Sequence, residues 1–255
     1  MLRPRITPCL LVRNKGLVKT VQFKNPKYVG DPINAVKIFN EKEVDELIVL
    51  DIDATKEKRE PDFKMIQNLA NESRMPLCYG GGVKTVNQAK KIIHLGAEKV
   101  ALSSAVIENP QLVKSIAQAI GLQSVIVVLD VRKKGLFNKY QVYTHNGTKP
   151  TGKSPKYYAE LFEELGVGEI VINSIDNDGM MTGYDLKLIE LIRNTINIPI
   201  TVLGGGGNLD DVKAVIKAHK IIGVAAGSIF VFKGKYKAVL INYPNEEDKK
   251  KLIKI

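Results

Sequence analysis

The first residues in this 255-residue chain that could do chemistry are two glycine clusters. One is Gly80 to Gly82 in MPLCYGGGV (75–83), and the other is Gly204 to Gly207 in IPITVLGGGG (198–207). Glycine turns let backbone N–H groups approach an anion closely, and a helix N-terminus beyond them favours negative charge. In each case the next apolar run ends in small residues, Ser103-Ser104 after the first cluster and Gly227-Ser228 after the second. Gly81, Gly82, Ser103 and Ser104 therefore read as one phosphate cradle, and Gly205, Gly206, Gly227 and Ser228 as another. The rival reading is that the glycines only make tight turns. Two clusters in register, each paired with a small strand end, weigh against it.

Asp130, in VLDVR (128–132), is the candidate general acid or base, because it stands at the end of an apolar run. The similar segment CLLVR (9–13) aligns Leu11 with it. Asp51 in VLDIDAT and Asp176 and Asp178 in SIDNDGMMTGYD stand at or just beyond run ends too. They either orient substrate hydroxyls or cap turns, and Asp178-Gly179 is grouped with the phosphate-binding residues. His94, His145 and His219 have no mutual spacing that suggests a metal site and read as surface or core residues. No metal or cofactor is expected.

Parallel strands alternating with helices would position these residues. Short apolar, β-branched-rich runs alternate with amphipathic stretches along the whole chain. Eight strands are predicted over Arg5 to Val12, Glu46 to Ile52, Pro76 to Gly80, Lys99 to Ser103, Ser124 to Val131, Glu169 to Ser174, Ile198 to Leu203 and Ile221 to Ala226. Helices are predicted over Asp31 to Glu41, Asp62 to Ser73, Val86 to Leu95, Pro110 to Ala119, Pro155 to Leu165, Asp185 to Asn194 and Leu209 to His219, with Pro110 and Pro155 in first turns. Nearly continuous apolar strands suit a sheet covered on both faces.

The chain also repeats itself. DELIVLDID (45–53) parallels GEIVINSID (168–176) at the same offset of 123 that pairs Gly81 with Gly204 and Gly82 with Gly205. This implies an α/β fold, a TIM barrel of two duplicated half-barrels forming one domain over residues 1–255. The two cradles would then face each other across the strand C-termini, spaced for a ligand with phosphates at both ends. Arg13 to Gly30 is long for a βα loop and carries Lys15, Lys19, Lys24 and Lys27. It reads either as a mobile surface loop or as a lid, with Lys19 the lid residue directed at substrate.

With 44% hydrophobic and 25% charged residues the chain can bury a sizeable core. A formal charge of +11 points to an anionic partner. There is no run of five or six basic residues, no aromatic-rich basic stripe and no tryptophan, so the lysines read as scattered and solvated. A phosphorylated small molecule is the expected partner, with no nucleic acid and no membrane. Cys9 and Cys78 lie in apolar stretches and suit reduced core residues of a cytoplasmic protein.

Taken in order from Arg5 to about Phe232, RITPCL, GDP, DELIVLDI, GGGV, ENP, QSVIVVLD, SIDNDG and TGYD resemble the cyclase subunit of imidazole glycerol phosphate synthase, a barrel family of histidine biosynthesis. The resemblance implies a glutaminase (class I amidotransferase) partner docked on the N-terminal face of the barrel. It also implies ammonia consumed on a phosphoribulosyl substrate that carries two phosphates. The family's ammonia gate, a ring of four charged residues at the barrel bottom, is matched by Arg5, Glu46, Lys99 and Glu169. An ordinary stabilising salt-bridge ring is the competing reading, since that face of a barrel normally serves stability.

The departure is at position 11. The resembled family uses two catalytic aspartates, at the ends of the first and fifth strands, and only Asp130 is present here because the other position is Leu11. One acid or base role, worth on the order of 10²- to 10⁴-fold in rate, is thereby lost. A related group of barrels, which supply ammonia to a separate enzyme amidating a surface-polysaccharide sugar, is similar in this respect. Ser103-Ser104 and Asn173 depart from the family pattern at the pocket as well.

Overall fold

The computed structural model describes residues 3–253, so the first two and last two residues of the expected 1–255 domain lie outside the described residues. In the first half the chain runs through β1 (Arg5–Arg13), β2 (Gly16–Val21), β3 (Lys24–Gly30), α1 (Pro32–Glu41), β4 (Leu47–Asp51) and α2 (Phe63–Glu72). It continues through β5 (Leu77–Gly80), α3 (Val86–His94), β6 (Lys99–Leu102), α4 (Ser104–Glu108) and α5 (Gln111–Ile120). The second half begins with β7 (Val125–Lys134), β8 (Lys139–Thr144), β9 (Lys149–Pro150), α6 (Pro155–Glu164), β10 (Glu169–Ser174) and α7 (Leu186–Arg193). It ends with β11 (Ile200–Leu203), α8 (Leu209–His219), β12 (Gly223–Ala226), α9 (Ser228–Val231), β13 (Phe232–Lys233), β14 (Ala238–Val239) and α10 (Glu246–Ile253).

Eight of these strands pair in parallel in the order β1-β4-β5-β6-β7-β10-β11-β12, and β12 pairs back with β1, which closes a TIM barrel. Closure buries both faces of every strand, which accounts for the near-continuous apolar runs. Alternation along each strand splits the core in two. Outward residues such as Ile6, Leu10 and Val12 pack with the helices, while Cys9, Ile48, Cys78, Ala101, Ile126, Val128, Val171, Leu203 and Ala225 fill the barrel interior, at least one from each of the eight strands.

The helices begin where the sequence supplies caps. Asp31 accepts from the Asn34 N–H ahead of α1, Ser154 from Tyr157 ahead of α6, and Thr85–Gln88 and Asn208–Asp211 form reciprocal capping boxes on α3 and α8. Pro155 opens α6 as expected, whereas Pro110 is the residue preceding α5 rather than part of its first turn.

The stretch from Arg13 to Gly30 departs from expectation. It is not an open loop: β2 pairs antiparallel with the end of β1 (Leu11 with Val18, Arg13 with Gly16) and β3 pairs with β2. Leu17, Val18, Lys19 and Thr20 are buried in succession, so β2 is covered on both sides, although the lysines of the segment make it resemble a solvated loop. The second half repeats the device, since β8 pairs antiparallel with the extended end of β7 and with β9. The four-residue α9, the β13–β14 hairpin and α10 are further elements that the sequence reading did not include. Among the described residues no helix is long and apolar enough to cross a membrane.

Candidate functional site

Strand C-termini converge on a cavity of about 1050 Å³, open to solvent. Gly81, Gly82, Ser103 and Ser104 line one side of it, together with Asp51 and Asp130. A second lobe of about 300 Å³ is lined by Gly179, Gly204, Gly205, Gly206, Gly227 and Ser228. The two lobes share Leu11, Lys19, Thr20, Asp178, Leu203 and Gly227, so the two expected cradles are the two ends of one mouth.

The glycines are required by backbone geometry. Gly81 has φ +120° and Gly205 has φ +117°, and a Cβ on either would run into a facing main-chain carbonyl, that of Asp51 or Gly183. Only glycine allows the chain to turn there and stay against its neighbour.

Lys19 is the one lysine of the first hairpin that lines the mouth. It is buried, donates from Nζ to the Cys9 carbonyl at 3.0 Å, and lies so close over Gly227 that a Cβ there would collide with it. Burial lowers its pKa, which eases the loss of its proton. Lys15 instead lies 4.0 Å from Asp62 at the surface, and Lys27 sits over the Phe232 ring. The hairpin is tied down at its turn, with Thr20 Oγ1 donating to Asp178 at 3.2 Å and Gln22 donating to the Asp178 and Asp176 carbonyls, each at 2.8 Å.

Of the expected carboxylates, Asp130, Asp178 and Asp51 reach the mouth, each with different partners. Burial raises the Asp130 pKa to about 7, although the Asn173 amide, donating at 2.9 Å, favours the ionised form. Burial also raises Asp178, opposed by Lys19 and by the Thr20 hydroxyl. Asp51 is held in a forked pair by Arg59 at 3.0 and 3.3 Å and accepts the N–H groups of Asp53 and Ala54, so it braces the β4 turn. Asp176 does not line either lobe; it lies 3.5 Å from Arg132 and accepts the Lys133 N–H.

Register explains why Leu11 has no local substitute. The β7–β10 pairing sets Asp130 beside Asn173, and the β1–β4 pairing sets Leu11 beside Leu50. One half of the mouth thus presents a hydrogen-bonded polar pair, and the other half presents two leucines at the matching places.

At the opposite end of the barrel, Arg5, Glu46, Lys99 and Glu169 close into a ring. Arg5 lies 3.1 Å from Glu46 and 2.7 Å from Glu169, and Lys99 lies 2.6 Å from Glu46 and 3.1 Å from Glu169. Thr201 adds a hydroxyl donated to Glu169 at 2.5 Å. Burial disfavours the charge on Glu169, but Arg5 and Lys99 outweigh it and hold the carboxyl below its usual range. Burial is likewise outweighed for Arg5 and Lys99, whose pKa values are raised by the two glutamates. Between ring and mouth lie the apolar interior and the buried Thr7 hydroxyl, which has no hydrogen-bond partner. Cys9 and Cys78 are free thiols of this interior, with burial pushing Cys9 up to about 12.

Several residues at the site escaped the sequence reading. Arg59, Thr20 and Phe23 come from turns and the unrecognised hairpin, and His145 sits in the β8–β9 turn, where its N–H donates to Ser104 at 3.1 Å. The spacing of Asp51 and Arg59, with Glu57 between them, was the only local signal for that pair. Among the described residues no cluster of His, Cys, Asp or Glu is arranged to hold a metal.

Comparison with known proteins agrees with the barrel fold. The family model described as histidine biosynthesis protein matches residues 5–237. A Vibrio vulnificus protein, provisionally named imidazole glycerol phosphate synthase subunit hisF3, is 54% identical over 255 residues, covering 100% of this chain and 98% of its own. The provisionally named hisF2 subunit of Pseudomonas aeruginosa is 49% identical over 245 residues, covering 96% and 97%. Imidazole glycerol phosphate synthase subunit HisF of Exiguobacterium sibiricum is 38% identical over 230 residues, covering 90% and 91%. The chain therefore belongs to the histidine biosynthesis protein family, a lyase-type enzyme family whose members compared above are named as subunits of imidazole glycerol phosphate synthase.

Proposed function

We propose that this chain is the ammonia-using, synthase-type subunit of a glutamine amidotransferase pair. A glutaminase subunit docks on the N-terminal face, ammonia enters through the Arg5–Glu46–Lys99–Glu169 ring, and a substrate with phosphates at both ends spans the mouth beside Asp130. The observation that carries this reading is the sequence of layers along one axis: a charge-balanced ring, an apolar interior, and a mouth with two glycine cradles. Ammonia is small and neutral, so an apolar passage admits it while excluding ammonium. Lys19 would meet phosphate oxygens as a buried cation, and Asp130, with its pKa near 7, can accept or donate a proton at neutral pH. Turnover of the phosphoribulosyl substrate that carries two phosphates, with an ammonium salt, measured beside glutamine hydrolysis with and without the barrel, tests both halves. A barrel that neither stimulates a glutaminase nor binds the bisphosphate overturns the reading.

A second reading is favoured by Leu11. Cyclisation in the resembled family divides acid and base roles between two carboxylates, and neither Leu11 nor its neighbour Leu50 can exchange a proton. On this reading the ammonia passes on to a separate enzyme that amidates a surface-polysaccharide sugar. No cyclase turnover, recovered on Leu11→Asp, selects it, and robust turnover by the natural chain excludes it.

A further inference from the structure

The surplus positive charge is not scattered. Residues 13–30, 132–153 and 232–239 carry 14 of the 38 basic residues and none of the 27 acidic ones, which leaves 24 basic against 27 acidic residues elsewhere. All three segments follow the C-terminal ends of barrel strands, β1, β7 and β12, and so lie on the face that holds the mouth. They also touch one another: Lys27 Nζ is 5.6 Å from the centre of the Phe232 ring, and a Cβ on Gly147 would meet Phe23 at 3.2 Å. Arg13, Lys15, Arg132 and Lys133 pair with Asp53, Asp62, Asp176 and Asp185, and Lys19 is buried, so the other nine, all lysines, make a basic rim.

Each hairpin also raises apolar side chains into solvent. Leu136 and Phe137 at the β7–β8 tip are 95% and 82% exposed, Tyr236 at the β13–β14 tip is 91% exposed, and Tyr28 on β3 is 67% exposed. Steering of a small anionic substrate would account for the lysines, but it gives no reason to hold large apolar groups in water at loop tips.

We propose that this rim is a docking surface for an acidic partner protein, one that caps the mouth and takes ammonia directly from it. The inference rests on the second reading above, in which ammonia leaves the barrel. Ammonia released into bulk water at neutral pH is protonated to ammonium and diluted, so hand-over needs a covered mouth. Charge complementarity selects a protein with a carboxylate-rich face around apolar pockets that take Phe137 and Tyr236. A membrane would press on the same opening through which substrate or ammonia must pass, and it offers no pocket to receive ammonia.

A photocrosslinking residue at Phe137 or at Tyr236 in the full chain, expressed in its native cell, tests this. The same group at Leu122, between α5 and β7 on the opposite face and 57% exposed, is the control. The tips should capture one protein that Leu122 does not, and Leu122 should report the glutaminase. The captured protein, purified, should bind the wild-type barrel and lose about tenfold or more in affinity to a Lys134→Glu, Lys235→Glu, Lys237→Glu variant, more so at low salt, with glutaminase stimulation unchanged. Phosphatidylcholine–phosphatidylglycerol vesicles and a short DNA duplex serve as competing probes. Tight, charge-dependent binding to either probe overturns the proposal, as does a captured protein indifferent to charge reversal. Tips that capture nothing while Leu122 captures the glutaminase overturn the docking surface alone and leave the amidotransferase reading standing.

Discussion

Replacing Asp130 with Asn should make the protein more stable at neutral and alkaline pH, although it removes the best-placed acid–base group. Burial lifts this carboxyl to about pKa 7, while an unfolded aspartate titrates near ~3.9. Between those values the folded chain keeps a proton that the unfolded chain has released. Stability contributed by the group is therefore complete below pH ~4 and is lost as pH rises through about 7. The whole difference corresponds to roughly 4 kcal/mol at ~1.36 kcal/mol per pH unit. Asp130 is partly open to the mouth, so solvent screens its charge and about half, ~2 kcal/mol, is the expected effect. Asparagine is neutral throughout and can turn its carbonyl toward the Asn173 amide. Variant and parent should match in urea denaturation near pH 4 and separate by ~2 kcal/mol at pH 8, equivalent to about 4–8 °C in Tm. A stability difference that does not change between the two pH values refutes a neutral, buried Asp130 and with it the assignment of this group as the proton carrier.

Three other outcomes follow from the ring and the mouth. Glu169→Gln leaves Arg5 and Lys99 sharing one carboxylate and should cost about 2–3 kcal/mol in urea denaturation, less than a fully buried pair because Arg5 is 30% exposed. Because the carboxyl is held low, its contribution is present above the unfolded pKa of ~4.3 and is lost as pH falls through the lower folded value, so the Gln variant should show a flatter acid limb, and adding Lys99→Met should recover part of the loss. Lys19→Met should weaken inorganic phosphate binding, read as thermal protection, by about 10-fold or more, the scale of one charge-assisted hydrogen bond. Gly205→Ala, at φ +117° against the Gly183 carbonyl, should lower stability by ~1–3 kcal/mol and abolish that protection at the second lobe.

How far the sequence carried the reading depended on whether the signal was local. The barrel strands were legible because closure makes each of them apolar on both faces, and the glycines because positive φ leaves few other choices. The β2–β3 hairpin was not, since its buried stretch from Leu17 to Thr20 contains one lysine and is flanked by others, and Lys19 folds inward to lie over Gly227. Nothing local links Asn173 to Asp130, 43 residues apart; their contact comes from the β7–β10 register. The four ring residues were picked out only through family resemblance, because each is a single charge at a strand start and their convergence is a property of the closed barrel.

The same register limits what the mouth can do. At pH 7 a lone carboxyl with a pKa near 7 is half protonated, so a population of molecules contains both acid and base forms, but any one molecule has only one of them. Asp178 does not make up the deficit, since it is tied to Thr20 and sits beside Lys19, where its charge balances that of the buried ammonium. Asp51 is committed to Arg59. A step that needs a proton taken and another given in one event is therefore slowed, whereas the proposed binding of two phosphates and passage of neutral ammonia would need neither. The features present in both halves are the glycine turns and small strand ends proposed to hold phosphate, and the feature found in one half alone is the carboxyl proposed to carry the proton. Position 11 is thus the residue at which this barrel is expected to differ most in proton-transfer chemistry from a two-carboxylate relative, while the barrel itself is shared.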